Sequence, residues 1–131
     1  MHSEGRRFCQ LAAASLALAT ALAAVGAHVL RSRLAPEHYA TLQTALQFQF
    51  FHSLGLLGLG VLVGRQPGRL LRLAGWLLTS GIVLFSGSLY ALVAGAPHLI
   101  GVLTPLGGLA LISGWCVAAA GLRARVSQEM Q

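Results

Sequence analysis

Four long apolar runs constrain the fold of this chain more than any other feature of its sequence. Each comes close to the roughly 20 residues that an α-helix needs to cross the hydrocarbon core of a bilayer, and they cover about residues 8–30, 39–63, 70–93 and 99–122. The predicted helices cover residues 8–30, 37–63, 70–93 and 104–122. Only 9% of the residues are charged, whereas soluble domains are about a quarter charged. Because so few ions cannot cover a surface exposed to water, the sequence predicts an integral membrane protein.

The connections between the runs are short and contain the glycines and prolines that are typical of turns. They cover residues 31–38, 64–68 and 95–98. Loops of this length force consecutive helices to lie side by side in opposite directions. We therefore predict an all-α fold in which residues 1–131 form one domain, an up-down-up-down bundle of four transmembrane helices.

Two helix starts can be placed from the local sequence. Pro36 and Glu37 put a proline at a first helical position and an acid in the first turn, where the helix dipole favours it. Thr104 and Pro105 have the order of an N-cap followed by a first helical residue. The alternative is a proline kink inside a longer fourth helix, and we favour the cap.

The nine basic residues are all arginines, and they are distributed unequally between the two predicted sides of the membrane. Seven lie at the termini and in the second connection, whereas Arg31 and Arg33 lie on the opposite side. Arginine-rich loops favour the cytoplasmic side. We expect a multi-pass membrane protein with both termini in the cytoplasm. Its arginines are expected to contact lipid headgroups and not nucleic acid.

The first apolar run is also compatible with a cleaved signal peptide. Arg6 and Arg7 would form its basic segment, and residues 25–27 would supply the small residues at the cleavage site. The run is longer than the apolar segment of a typical signal peptide, so we favour a retained helix. Cys9 and Cys116 fall at different depths of the predicted bundle, which argues against a disulfide.

Small residues recur at helical spacing in the first and fourth runs, and such stripes let membrane helices approach closely. The stripe of the first helix is Ala13, Ala17, Thr20 and Ala24, continued by His28. The stripe of the fourth helix is Gly107, Ala110, Gly114 and Ala118. We predict that these are the tight contacts of the bundle and that His28 faces protein.

The second run is unusually polar for a membrane helix. Gln43, Gln47, Gln49 and His52 lie in its first half and point in more than one direction. At comparable predicted depth the other runs contribute His28, Ser86, Ser88, Tyr90 and Thr104. Polar groups inside a membrane need partners, so these nine residues are our candidates for a polar cluster or ligand site. The pattern predicts a polar-lined pocket open to the outer face.

The two membrane histidines do not form a metal site on this arrangement. His52 falls near the midplane and His28 about 13 Å above it at the helical rise, while zinc requires ligands about 2 Å from one ion. The plainer interpretation has both histidines buried and hydrogen-bonded to helix-two amides, Ser86 or Tyr90. Ser86 as a nucleophile would need a base within hydrogen-bond reach and an orienting acid behind that base, but the chain contains no aspartate and its only glutamates lie outside the membrane. We expect no catalytic site, metal or cofactor.

Four ordered motifs resemble the signature of one family. They are residues 26–28 (Gly-Ala-His), 44–52 (Thr-Ala-Leu-Gln-Phe-Gln-Phe-Phe-His), 84–90 (Leu-Phe-Ser-Gly-Ser-Leu-Tyr) and 104–108 (Thr-Pro-Leu-Gly-Gly), followed by Gly114-Trp115. The chain is identified as resembling the domain of unknown function 423 family, which includes YgdD-like and transmembrane protein 256-like membrane proteins. The resemblance implies a four-helix membrane protein without an established activity, located in the bacterial inner (plasma) membrane. Its motifs contain the glycines that we expect to serve packing: Gly26, Gly87, Gly107, Gly108 and Gly114.

These observations favour a non-enzymatic protein: an accessory or assembly subunit, or a binder of lipids or other hydrophobic ligands. The expected partners are membrane lipids and a partner membrane protein or further copies of the chain, with no nucleic acid. The alternative is a small transporter or channel that uses the polar second helix, with Gln43, Gln47, Gln49 and His52 along its path. Enzymatic action on lipids is the least supported of the three.

Overall fold

The computed structural model describes all 131 residues, and most of them lie in four long helices. We label the helices α1 (Ser3–His28), α2 (Pro36–Arg65), α3 (Arg69–Val93) and α4 (Leu103–Glu129). Short 3₁₀ turns at Leu30–Ser32 and His98–Val102 complete the secondary structure, which contains no strand. All four helices are long and apolar enough to cross a membrane. The predicted all-α fold with four membrane helices is thus confirmed.

The first helix begins at Ser3, earlier than the start of the apolar run at residue 8. Two contacts hold this extra turn in place. The backbone N–H of His2 donates to the carbonyl oxygen of Gly64 at 3.0 Å, and Arg72 forms an ion pair with Glu4 at 2.9 Å. The helix therefore extends past the apolar run because its first turn is tied to α2 and α3.

The two predicted helix starts have different outcomes. Pro36 is at the first turn of α2 and Glu37 provides the acid there, as the sequence predicts. The predicted N-cap at Thr104 is wrong, because α4 begins at Leu103 directly after the 3₁₀ turn. The Thr104 hydroxyl lies instead 2.6 Å from that of Ser88 on α3. Thr104 therefore contacts a neighbouring helix and does not cap its own helix.

Each helix packs along its neighbour in sequence. Against α3, the contacts of α4 run in the opposite direction along the chain: Gly107 lies on Phe85, Gly114 on Leu78 and Gly121 on Leu71. The contacts of α1 with α2 likewise run from Gly5 against Gly60 and Gly64 to Gly26 against Leu42. Short connections and glycine-lined contacts therefore decide which helices touch.

The first and third helices meet near their starts and then leave a gap. Phe8 is fully buried, and its ring fits against Gly75, where a Cβ atom would overlap it. The same ring makes an edge-to-face contact with Trp76, with 5.2 Å between centroids. Beyond this contact, α1 and α3 are held apart on the surface of α2.

The predicted contact stripe on α1 is wrong. Its members are all exposed (Ala13, Ala17, Thr20, Ala24 and His28), and the buried residues are Gly5, Phe8, Ala12, Ala19 and Gly26. Small side chains occur on both sides of this alanine-rich helix, so their spacing does not single out one face. The face that packs is selected by the glycines of α2 and by Phe8. On α4, by contrast, Gly107, Gly114 and Ala118 are buried.

The buried interior has two apolar clusters with a polar layer between them. The larger cluster includes Phe8, Leu56, Val63 and Leu78 and lies toward the start of α1. The smaller one contains Ala19, Leu42 and Leu46. Gln49 and Ser53, both buried, fall between the two sets along α2. This layer positions the candidate site.

We expect Gly107→Ala to lower the free energy of unfolding by about 1–3 kcal/mol, because overpacking a close contact has this effect. A Cβ atom at Gly107 would overlap the backbone of α3 at Phe85, while one at Gly87 would meet nothing within 4 Å. Gly87→Ala is therefore the matched control. Denaturant titration of both variants in detergent micelles would measure the difference, and equal stability would contradict this packing.

Candidate ligand-binding crevice between α1 and α3

The side chain of Gln49 organises the polar layer of the bundle. Its amide nitrogen donates to the backbone oxygen of Ser15 at 2.9 Å and contacts the Ser15 hydroxyl at 3.2 Å. Ser53, one turn further along α2, donates to the same hydroxyl at 2.7 Å. Inside a membrane a buried amide has no water to bind, so these bonds fix the register of α1 on α2.

The third helix is joined to the same layer. The phenolic hydroxyl of Tyr90 donates to the side-chain oxygen of Gln49 at 2.5 Å. Ser86, which is 2% exposed, donates to the backbone oxygen of Ala45 at 2.8 Å. Gln49 thus uses both ends of its amide, one toward α1 and one toward α3.

A crevice of about 380 Å³ lies between α1 and α3, with α2 as its floor. The floor consists of buried Gln49 and Leu56, whereas Leu18 and Val83 at the sides are 54% and 66% exposed. The crevice therefore opens sideways, toward the region that lipid chains occupy. Its other lining residues are Leu11, Ala14, Ser15, Thr79, Ile82, Ser86, Gly87 and Tyr90.

The crevice is mostly apolar, with a small polar patch at its base. Volumes of roughly 300–1,000 Å³ and apolar walls with a few polar groups are typical of small-molecule sites. The hydroxyl hydrogens of Ser86 and Tyr90 are already donated to Ala45 and Gln49. The oxygen atoms of these two side chains keep lone pairs that can accept a hydrogen bond. The arrangement can hold an apolar molecule that carries a hydroxyl group.

The predicted polar-lined pocket at the outer face is wrong. Of its nine candidate residues only Gln49, Ser86 and Tyr90 line the crevice. Gln43, Gln47 and His28 are exposed on the surface of the bundle. Ser88 and Thr104 bind each other between α3 and α4. Depth along a helix was predicted from the sequence, but the direction of each side chain depends on the helix contacts.

His52 belongs to a separate aromatic cluster on the side of α4. Its Nδ1 atom lies 2.7 Å from the backbone oxygen of Phe48, and the two rings stack with centroids 5.5 Å apart. Trp115 lies 6.3 Å from the imidazole between centroids. The predicted partners of the histidines, the helix-two amides, Ser86 or Tyr90, are therefore wrong. His52 binds its own helix and His28 is exposed.

The residues of the alternative transport path do not share one direction. Gln43 and Gln47 are exposed, Gln49 faces α1 and α3, and His52 faces α4. No continuous polar path along α2 results from these positions.

The five predicted packing glycines differ in their surroundings. A Cβ atom would overlap α3 at Gly107, would press on Leu78 at Gly114 and would lie 3.1 Å from Leu42 at Gly26. At Gly108 the nearest atom of Phe85 would be 3.8 Å away, an ordinary contact. Gly87 is not a packing glycine, because nothing would lie within 4 Å and the residue borders the crevice.

Three polar residues of the site were absent from the predicted set: Ser15, Ser53 and Thr79. Ser15 and Ser53 bind each other, and Thr79 donates to the backbone oxygen of Gly75 at 2.8 Å. Thr79 and Ser86 share one face of α3 with Tyr90, and this spacing was available in the sequence. Nothing local connects Ser15 to Gln49, because the two belong to different helices.

The fold and the lipid-facing crevice define a small four-helix membrane protein. The family model described as "Protein of unknown function (DUF423)" matches residues 22–108, and the chain belongs to this family. It is 38% identical to a UPF0382 membrane protein of Staphylococcus saprophyticus, over 87% of this chain and 94% of that protein. It is 39% identical to the UPF0382 membrane protein YwdK of Bacillus subtilis, over 82% of this chain and 89% of the relative.

A relative from Escherichia coli is named as an inner membrane protein. This protein, the UPF0382 inner membrane protein YgdD, is 39% identical over 77% of both chains. No solved structure matches the chain. The resemblance seen in the four motifs is thus confirmed, and the relatives' names describe membrane proteins without giving an activity.

We expect Tyr90→Phe to lower the free energy of unfolding by about 0.5–2 kcal/mol, the range of hydrogen bonds between membrane helices. The change removes the donor to Gln49 and leaves the buried amide oxygen without a partner. Tyr39→Phe is the control, because the Tyr39 hydroxyl makes no hydrogen bond in the structure. Unfolding in mixed micelles would measure the stability of both variants. A Tyr90→Phe variant with the same free energy of unfolding as the wild type would disprove the role of the bond.

Proposed function

We propose that this chain is a non-enzymatic membrane protein that holds a lipid-like molecule in the crevice between α1 and α3. The observation that carries the proposal is the lateral opening of an apolar crevice above a polar base. Leu18 and Val83 border this opening and are both exposed. A ligand dissolved in the bilayer can enter from the side without crossing water.

The hydrogen bonds that the crevice residues already make indicate which class of ligand can bind there. Ser86 and Tyr90 have donated their hydrogens and can only accept. A ligand hydroxyl can donate to these two oxygen atoms, which favours a neutral lipid with a hydroxyl group over a hydrocarbon or a charged headgroup. An alcohol of the diacylglycerol or isoprenoid class fits this chemistry. Charged groups are disfavoured because no ionisable side chain except the tyrosine lines the crevice.

The distribution of arginines supports an orientation in which both termini lie in the cytoplasm. Arg6 and Arg7 precede the apolar part of α1, and Arg123 and Arg125 follow that of α4. Arg31 and Arg33 lie at the opposite end of the bundle, after α1. In this orientation the base of the crevice lies near the middle of the membrane. We propose an accessory role, in which the bound lipid is presented to other membrane proteins.

We expect a diacylglycerol with a photoreactive acyl chain to label α1 and α3 of the purified protein in nanodiscs. Labelled peptides should contain crevice residues such as Leu11, Leu18 and Val83. Gly87→Leu should reduce this labelling at least about threefold, because the new side chain occupies the mouth of the crevice. Mass spectrometry of the digested protein measures the positions and their yield.

The control variant adds a similar side chain elsewhere. Ala119 is exposed on α4 and does not border the crevice, so Ala119→Leu should leave the labelling unchanged. Equal labelling of α4 positions such as Ile112, or no effect of Gly87→Leu, would show that the lipid merely surrounds the bundle. A matched probe in which the hydroxyl is methylated should label more weakly.

We expect a fluorescent protein fused after residue 131 to fold and fluoresce, as such fusions do only in the cytoplasm. An alkaline phosphatase fused after Gly95, in the connection from α3 to α4, should be active because this enzyme needs the oxidising side of the membrane. The asymmetry of arginines is the physical reason. Reversed results in the two fusions would overturn the proposed orientation and leave the crevice unaffected.

A further inference from the structure

We propose that the chain forms a parallel homodimer in which the exposed face of α2, centred on Gln47, packs against the same face of a second copy. This face, the α2 seam, lies on the side of α2 away from the crevice. Its members are all exposed and recur at alternating spacings of three and four: Thr44, Gln47, Phe51, Leu54, Gly58 and Val61. This spacing is that of residues at a contact between two supercoiled helices.

The depth of Gln47 makes its exposure unusual. Gln49 binds Ser15, which lies halfway along α1, and Gln47 lies only about 3 Å further along the axis of α2. The amide is thus near the middle of the bundle, where lipid chains surround a single copy. No hydrogen bond reaches it from within the chain, whereas Gln49 on the opposite face has three.

A bare amide at this depth requires a partner, because hydrocarbon offers neither donor nor acceptor. Gln43 is also exposed, but its neighbour Leu42 lies against Gly26, close to the end of α1. Gln43 can therefore reach the headgroup region with its flexible side chain. Gln47 cannot, since it is about 6 Å deeper along the same helix.

The amide group indicates a second copy of the chain as this partner. It contains a donor and an acceptor, so two facing glutamines satisfy each other across a twofold axis. With all copies in the orientation that we propose from the arginine distribution, residues meet at equal depth and Gln47 faces Gln47. A single polar residue in an otherwise apolar contact is also a known means of fixing register.

The shape of the α2 seam is compatible with close approach of two backbones. Gly58 has open space above it, with nothing within 4 Å of a Cβ atom placed there. The large apolar side chains Leu54 and Phe51, which are 54% and 63% exposed, lie one and two turns before it on the same face. Small residues beside large ones are typical of contacts between membrane helices.

Disulfide cross-linking in native membranes tests the location of the contact. In a chain with Cys9→Ala and Cys116→Ala, Phe51→Cys should give a band of twice the monomer mass upon oxidation. Val83→Cys is the matched control. Val83 is 66% exposed, but it lies on α3 and borders the crevice, which is on the side of α2 away from the α2 seam. Equal cross-linking at both positions, no cross-link at Phe51→Cys, or a product of another mass would each overturn the proposal.

Energy transfer between labelled copies in liposomes tests the role of the amide. Gln47→Leu should raise the dissociation constant of the dimer about tenfold, as expected for a lost pair of hydrogen bonds between helices. Gln43→Leu, which removes the same group nearer the surface, should leave it unchanged. A wild-type chain that stays monomeric at all protein-to-lipid ratios, or an unaffected Gln47→Leu dimer, would contradict the proposal.

Discussion

The need of buried polar groups for partners in a medium without water determines how this bundle is built. Gln49 on α2 is the centre of the polar layer, because its nitrogen donates to Ser15 on α1 and its oxygen accepts from Tyr90 on α3. Three helices are thereby registered through one side chain. The apolar clusters on either side of this layer gain little from the hydrophobic effect, since lipid chains are as apolar as leucine, and they are held by close packing. The polar layer adds directional hydrogen bonds that fix the register of the helices.

The crevice is a consequence of this same arrangement. Gln49 and Ser53 tie α1 to α2, and Ser86 ties α3 to α2, but α1 and α3 share no direct hydrogen bond at this level. They meet only near their starts, where Phe8 fills the space over Gly75. Past that point each helix follows α2 separately, and the space between them stays open to lipid. The polar groups at the base of the crevice therefore bind each wall to α2 and do not bind the two walls to each other.

Much of the fold was predictable from the sequence, and the site was predictable only in part. The helices follow from apolar runs that must satisfy their backbone within the membrane, and Pro36 placed the start of α2 correctly. The exposed stripe from Ala13 to His28 was misassigned because both faces of a membrane helix are apolar, so that polarity gives no contrast. Thr104 was misassigned because its partner, Ser88, lies on another helix. Pairings across helices are set by tertiary contacts that spacing along one helix does not contain.

Each of two opposite faces of α2 carries a glutamine whose amide needs a hydrogen-bond partner, and the two glutamines differ in where that partner lies. On the inner face Gln49 is satisfied by its own chain, which fixes the fold of one copy. On the outer face Gln47 lies at nearly the same depth and makes no bond within the chain. A helix that needed only to cross the membrane would have no use for an amide there, because leucine is less costly in lipid. In the dimer that we propose, a copy of the same helix supplies to Gln47 the hydrogen-bonding group that its own bundle lacks.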